Sequence, residues 1–216
     1  MFKPLIAAIS GLLLAVAHPA AAQSFNFISQ RREVFVDNRP SNGPGERIFR
    51  EATGYDFFNE SIQGEWQIPD PFARALSEAT QSSTLDTQII SCAGFAFSLV
   101  TGPGVRASSA SVLEARWTFT EPTPVVISAI AGGASMISLT GPGVDVHLSD
   151  GELFTTLDLS PGEYLLYADA AMDVTEPGEL VGSFHIALGV VPSPGPLAAL
   201  GIAACVVRRR GRTVEA

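Results

Sequence analysis

Lysine is almost absent from this sequence: among its 216 residues, Lys3 is the only one. Residues 23–191 contain eight arginines and twenty-one acidic side chains, so their formal charge is −13, compared with −9 for the full chain. Phosphate recognition needs a cationic patch, and this balance therefore argues against nucleic acid as a partner. Without lysine, residues 23–191 also cannot form a Schiff base or a phosphate-binding P-loop.

Cysteine is scarce as well. Cys92 and Cys205 are the only two, and they lie in segments of very different composition, so we expect no disulfide between them. Cys92 has small and apolar neighbours, which predicts a buried side chain rather than a reactive thiol. The sequence contains no serine-hydrolase, zinc-protease or dinucleotide-binding motif. We therefore expect a protein that is not an enzyme, with no catalytic residue, metal or cofactor.

The first 22 residues have the organisation of a secretory signal peptide. Lys3 provides a positive start, residues 5–16 are apolar, and small residues of the A-x-A kind follow. Ala20 and Ala22 fit the cleavage positions, which predicts Gln23 as the first residue of the mature protein. We expect export by Sec-type machinery, with an uncleaved anchor helix as the alternative.

The C-terminal segment, residues 190–212, has three parts in a set order. Residues 191–196 are rich in proline, residues 197–207 are uncharged and almost wholly apolar, and residues 208–210 are three arginines. A bilayer span needs about 20 apolar residues, so the apolar run is short unless it is extended back to Ile186. The arginines would hold their end on the cytoplasmic side of a membrane.

This order of stiff neck, apolar run and cationic stop is carried by Pro192, Ser193, Pro194, Gly195, Arg208, Arg209 and Arg210. It resembles the PEP-CTERM sorting signal of bacterial exported proteins, with Ser193 where that family usually has glutamate. The resemblance covers only the end of the chain. It implies an exosortase-type processing protease as a partner, a transient membrane anchor, and a final location at the cell surface or in the extracellular matrix. A plain membrane anchor with a basic flank is the alternative.

Residues 23–189 are long enough for one domain with a core of its own. Short alternating segments separated by glycine- and proline-rich turns predict a mainly β fold, an antiparallel β-sandwich or jelly roll. We expect a signal helix before it, a short apolar helix in residues 190–212, and a tail of residues 213–216. The strands that the pattern predicts most clearly are 84–91, 94–100, 111–120, 125–130, 135–139, 144–148, 153–159, 163–170 and 182–188. Residues 72–80 predict one short helix, and residues 47–67 give no clear assignment.

Two turn patterns stand out between the predicted strands. The sequence TGPGV occurs at 101–105 and again at 140–144, and we interpret both copies as hairpin ends. Residues 157–164 are similar to a hairpin that enters the penultimate strand of small secreted bacterial sandwiches, including pre-peptidase C-terminal domains. In that turn Gly162 permits a positive φ, and Tyr164 is expected to bury its ring on the following strand.

Three sets of side chains suggest ligands. Asp145, His147 and Asp150 could form a metal or acid–base cluster, with an exposed strand face as the simpler interpretation. Two groups of carboxylates could bind calcium or could simply lie in solvated loops. They are Asp145, Asp150 and Glu152, and Asp169, Asp173, Glu176 and Glu179. Four aromatic residues could stack on sugars or could pack in the core: Tyr55, Phe57, Phe58 and Trp66.

These patterns together predict an exported, non-catalytic β-sandwich protein that its C-terminal segment sorts to the cell surface or matrix. The alternative is a secreted module that binds an extracellular polysaccharide through exposed aromatic residues and acidic loops. Exposure of Tyr55 and Trp66 would favour this alternative.

Overall fold

The computed structural model describes residues 23–69 and 72–191, and its compact unit spans Ser24–Val191. Twelve β-strands account for most of this unit. They are β1 (Asn26–Pro40), β2 (Glu46–Glu51), β3 (Phe58–Pro69), β4 (Phe72–Leu85), β5 (Ile89–Val100), β6 (Val105–Phe119), β7 (Thr123–Gly133), β8 (Ser135–Gly141), β9 (Val144–Leu148), β10 (Gly151–Leu159), β11 (Gly162–Val174) and β12 (Gly178–Val190). Within the described residues there is no helix that could cross a membrane.

The strands form two six-stranded antiparallel sheets. Sheet A has the order β2-β1-β6-β11-β8-β9, and sheet B has the order β10-β7-β12-β5-β4-β3. From β5 onward the pairing is nested, because β5 pairs with β12, β6 with β11, β7 with β10 and β8 with β9. β1 and β2 extend sheet A beside β6, and β3 and β4 extend sheet B beside β5. The prediction of a mainly β, antiparallel fold is confirmed.

Alternating burial explains why the two sheets pack together. On β6, Ala115 and Trp117 are fully buried, whereas Arg116 between them is exposed. The largest apolar cluster combines Trp117 of sheet A with Ile127 and Ile186 of sheet B. Each sheet therefore buries one apolar side against the other, and this removal of apolar surface from water is the main favourable contribution to stability.

The turn between β10 and β11 has the local geometry that its sequence predicts. Gly162 has a φ of 145°, and the fully buried ring of Tyr164 stacks on Trp117 with ring centroids 5.9 Å apart. Tyr164 Oη donates a hydrogen bond of 2.7 Å to the carbonyl of Ser160. The two strands belong to different sheets, however, so the expectation of a hairpin is wrong. The turn instead carries the chain from one sheet to the other.

The two TGPGV segments also differ in role. Residues 140–144 close the β8–β9 hairpin, with Gly141 opposite Val144 and Gly143 at a φ of 72°. Residues 101–105 link β5 in sheet B with β6 in sheet A, so the hairpin interpretation is wrong for this copy. The reason lies outside the turn: β5 already pairs with β4 and β12, and no edge remains for β6 to join.

The helix predicted over residues 72–80 is wrong, because these residues form the first part of β4. Ala73, Ala75 and Ala79 are fully buried at alternating positions of that strand. β4 pairs with β3 along one edge and β5 along the other. Hydrogen bonding along both edges, with a period-two apolar face, outweighs the helix preference of Ala, Leu and Glu.

The strand predicted over residues 84–91 is also wrong, because a turn divides it. β4 ends at Leu85 and β5 begins at Ile89. In the turn, Asp86 Oδ1 accepts a hydrogen bond of 2.9 Å from the backbone N–H of Gln88. β5 then runs without a break through Cys92 to Val100, where the sequence pattern predicts two strands.

Candidate functional site

The residues predicted to direct export and sorting lie outside the described residues, with Gln23 as the exception. The others are Ala20, Ala22, Pro192, Ser193, Pro194, Gly195, Arg208, Arg209 and Arg210, and the two flanking helices predicted at the ends of the chain lie there too. The last described residue is Val191, whose N–H donates a 2.9 Å hydrogen bond to the carbonyl of Pro124. Backbone hydrogen bonding to sheet B thus continues as far as Val191, the residue directly before Pro192 in the sequence.

Asp145 and His147 lie together on the exposed side of β9, as their spacing predicts. His147 Nε2 is 2.8 Å from Asp145 Oδ1, and both side chains are mostly exposed. Asp150 lies in the turn before β10. Across residues 23–69 and 72–191, no group of three or more His, Cys, Asp or Glu side chains is arranged to hold a metal ion. The pair is therefore a surface contact.

The second group of carboxylates is divided between separate partners. Asp173 accepts hydrogen bonds from Arg106 Nε at 2.7 Å and Ser108 Oγ at 3.0 Å, and the contact with Arg106 lowers the pKa of this carboxyl. Asp169 accepts a 3.2 Å hydrogen bond from Tyr167 Oη, and burial raises the pKa of Asp169. Burial also raises the pKa of Tyr167 to about 12. These contacts stabilise the outer side of sheet A and do not form a calcium site.

Cys92 is fully buried on the inner side of β5, which confirms the prediction for this residue. It is a free thiol, and burial raises its pKa to about 12. Because the thiolate is the reactive form of cysteine, this environment suits a packing role.

The aromatic residues of the unassigned stretch are divided between the core and the surface. Phe58 is buried and Trp66 is half-buried against an apolar cluster. In contrast, 42% of Tyr55 and 66% of Phe57 are exposed. The Tyr55 ring lies 5.2 Å from the Phe27 ring, measured between centroids. The four residues do not form one platform, but two of them remain available at the surface.

A cleft of about 170 Å³ lies beside Phe57, where the loop 52–57 crosses from β2 of sheet A to β3 of sheet B. We refer to it as the crossover cleft. Its lining consists of Arg32, Glu51, Ala52, Thr53, Gly54, Asp56, Phe57, Phe58 and Glu60. These residues come from β1, the end of β2, the loop and the start of β3.

Arg32 is the fully buried residue of the crossover cleft. Its Nε donates to Gln30 Oε1 and its Nη1 to the carbonyl of Asp56, each at 2.8 Å, while Nη2 donates to the carbonyl of Gly54. The guanidinium also lies 5.7 Å from the centroid of the Phe58 ring. Within the described residues no carboxylate forms an ion pair with Arg32, and desolvation lowers the pKa of its guanidinium. Arg32 therefore holds the crossover loop in place through neutral oxygen atoms.

The carboxylates of the crossover cleft are those of Glu51, Asp56 and Glu60. In the part of the chain that the structure describes, none of these three forms an ion pair. Carboxylates only accept hydrogen bonds, whereas guanidinium only donates them. Since the Arg32 donors already have partners, the cleft presents chiefly acceptors to a ligand.

The sequence contained one signal for this site that our interpretation of it missed. Arg32 lies on the same side of β1 as Val34 and Val36, which are both fully buried. A charged residue in phase with an apolar strand face predicts a buried charge that needs partners.

No protein-family model matches the chain, and no curated protein and no solved structure matches it significantly.

Proposed function

We propose that this is an exported, non-catalytic β-sandwich protein that its C-terminal segment sorts to the cell surface or extracellular matrix. The observation that supports the proposal is where strand pairing in sheet B ends along the sequence. Strand pairing ends at Val190, which lies opposite Val125, and the first proline of the PEP-CTERM-like neck, Pro192, follows two positions later. Cleavage within the neck would therefore remove no part of either sheet.

Each end of the chain has a role in this proposal. Residues 1–22 direct the chain to Sec-type export machinery and are removed. The arginines at 208–210 resist transfer across the bilayer and hold the exported chain at the membrane. An exosortase-type protease then cuts near Pro192 and Pro194, and the acidic sandwich remains outside the cell.

Mass measurement of the mature surface form tests this proposal. We expect a species that begins at Gln23 and lacks Arg212. A mature species that still carries Arg212 in otherwise normal cells would make the segment a plain anchor. Recovery of intact Met1 from the surface would contradict signal cleavage.

Two sets of substitutions separate the steps of sorting. Replacement of residues 208–210 by serine removes the cationic stop, and we expect the chain to be released without processing. Replacement of Pro192 and Pro194 by alanine leaves the stop intact and changes the neck, and we expect an anchored, uncut protein. Processing of both variants at the normal rate would contradict the proposed signal.

Polysaccharide binding is a second candidate function, and it is favoured by the exposure of Phe57 in the lining of the crossover cleft and of Tyr55 two positions earlier in the same loop. Aromatic rings stack on the apolar faces of sugars, and carboxylates accept hydrogen bonds from sugar hydroxyl groups. Trp66 is half-buried and packs against the core, so it does not contribute a stacking surface. Retention of the protein on immobilised polysaccharides, compared with Phe57→Ala, tests this candidate.

A further inference from the structure

We infer that the crossover cleft binds a sugar residue that carries a free amine, as part of a polysaccharide without acidic groups. The inference rests on the second candidate function and names its ligand class. Four observations support it together: the cleft itself, the exposed ring of Phe57, the occupied donors of Arg32, and the carboxylates that have no ion pair among the described residues.

The charges of the crossover cleft determine which ligands it excludes. Its lining contains three acidic residues, Glu51, Asp56 and Glu60, and a single basic one, Arg32. The Nε and both Nη atoms of the Arg32 guanidinium already donate to protein oxygens, so it offers little to an incoming anion. A uronate, sulfate or phosphate group would meet like charges without a donor to compensate. An ammonium group brings a positive charge and three donors, which match the carboxylates.

The aromatic ring of Phe57 supplies the apolar contact that a sugar ring needs. The flanking residues are both held: the Asp56 carbonyl accepts from Arg32, and the Phe58 side chain is buried. Phe57 itself is 66% exposed. Its position is thus set by its neighbours while its ring remains in solvent. Ligand binding would therefore immobilise few additional side chains, and the entropy cost of binding would be small.

The size of the crossover cleft favours one sugar residue as the occupant. Its volume is about 170 Å³, below the roughly 300–1,000 Å³ of pockets that enclose drug-sized ligands. One ring of a longer polymer fits such a site, with neighbouring rings outside it. A lysine side chain of a protein partner has the same ammonium group but no ring face to lay on Phe57.

Calorimetric titration of the full protein with short oligosaccharides tests the inference. The probes are a glucosamine disaccharide, its N-acetylated counterpart, a galacturonate disaccharide and a short lysine peptide. We expect the glucosamine disaccharide to bind, acetylation to weaken binding several-fold, and the galacturonate not to bind. Short probes are needed because any long polycation would be attracted to a protein with this net charge.

Matched variants distinguish the cleft from the rest of the acidic surface. Glu60→Gln and Phe57→Ala should each weaken binding several-fold, whereas Glu179→Gln and Phe154→Ala, at exposed positions outside the cleft lining, should leave it unchanged. Phe57 and Phe154 are both exposed, so neither substitution should alter the thermal unfolding temperature.

The outcomes separate this inference from the function on which it rests. Equal binding of the acetylated disaccharide, or preferential binding of the galacturonate, would overturn the amine specificity and leave polysaccharide binding in place. Tighter binding of the lysine peptide would assign the cleft to a protein partner and overturn the inference. Absence of binding to every sugar would overturn both.

Discussion

At the scale of single residues, the interior between β1, β4, β5 and β6 contains a chain of buried polar side chains. Ser77 Oγ donates to Asn38 Oδ1 at 2.7 Å and lies 3.4 Å from Ser98 Oγ, which is 2.9 Å from Ser109 Oγ. All four side chains are buried. Buried hydroxyl groups that bond to one another avoid the cost of lost hydration, and their small volume lets the two sheets approach closely.

Asp173 is the residue for which a pH effect is expected. Arg106 donates to it from Nε at 2.7 Å and Nη2 at 2.5 Å, and this contact lowers its folded-state pKa. Because the folded pKa lies below the unfolded one, the stabilisation is present above roughly pH 4 and is lost as pH falls through the folded pKa. Both side chains are partly exposed, so solvent screening limits the gain to about 1 kcal/mol or less.

Urea unfolding of the wild type and Asp173→Asn, from neutral pH down to about pH 2, checks this prediction. The variant should be slightly less stable near neutral pH, and the difference should disappear at acid pH. Asp158→Asn is the control, since Asp158 is exposed and has no ion pair among the described residues. A difference that stays constant across the pH range would contradict the assignment.

At the scale of elements, β5 packs tightly against β12 and β6 at Gly94. A methyl group added there would collide with the ring of Phe184 on β12, and would lie 2.5 Å from Ser111 Oγ on β6. We expect Gly94→Ala to reduce the free energy of unfolding by about 1–3 kcal/mol, as overpacked cores do. Chemical denaturation followed by circular dichroism measures this change.

Gly132 on β7 provides the matched control for that substitution. No atom lies within 4 Å of a methyl group added at this position. Gly132→Ala should leave stability unchanged or raise it slightly, because alanine restricts the unfolded chain. If both variants were equally stable, the close contact at Gly94 would not be the cause.

The elements show which parts of the fold the sequence can predict. Alternation alone locates β9, whose predicted and observed bounds are both 144–148. It fails for β4, because alanine and leucine suit a helix locally and only pairing on both edges makes the segment a strand. Turn sequence does not distinguish a hairpin from a crossing between sheets, as the two TGPGV segments demonstrate.

The crossover cleft also could not be predicted from local sequence patterns, because it depends on contacts between distant parts of the chain. Arg32 contacts the carbonyl of Asp56 and Ser83 Oγ, which lie 24 and 51 positions away along the chain. Their meeting depends on the order of strands in two sheets, and an alternating pattern does not specify that order. The sequence shows the aromatic residues Tyr55, Phe57 and Phe58, but it does not show that the first two are exposed and that Phe58 is buried.

At the scale of the whole molecule, the largest apolar cluster contains residues of both sheets. We therefore expect the two sheets to unfold cooperatively. Cys92 belongs to this cluster together with Trp117 and residues of both sheets. The thiol is fully buried with a pKa of about 12, so a thiol reagent should reach it only when the sheets separate. We use Cys205→Ser as the background, which leaves Cys92 as the single cysteine.

Labelling of Cys92 should follow global unfolding. In native buffer we expect labelling to be slow, and across a urea transition its extent should coincide with the change in tryptophan fluorescence, since Trp117 is buried in the same cluster. Ala93→Cys, made with Cys92→Ala, is the control: position 93 is on the exposed side of β5 and should label rapidly in the folded protein. Rapid labelling of Cys92 in native buffer, or labelling that precedes the fluorescence change, would mean that sheet B opens locally and that the two sheets do not unfold as one unit.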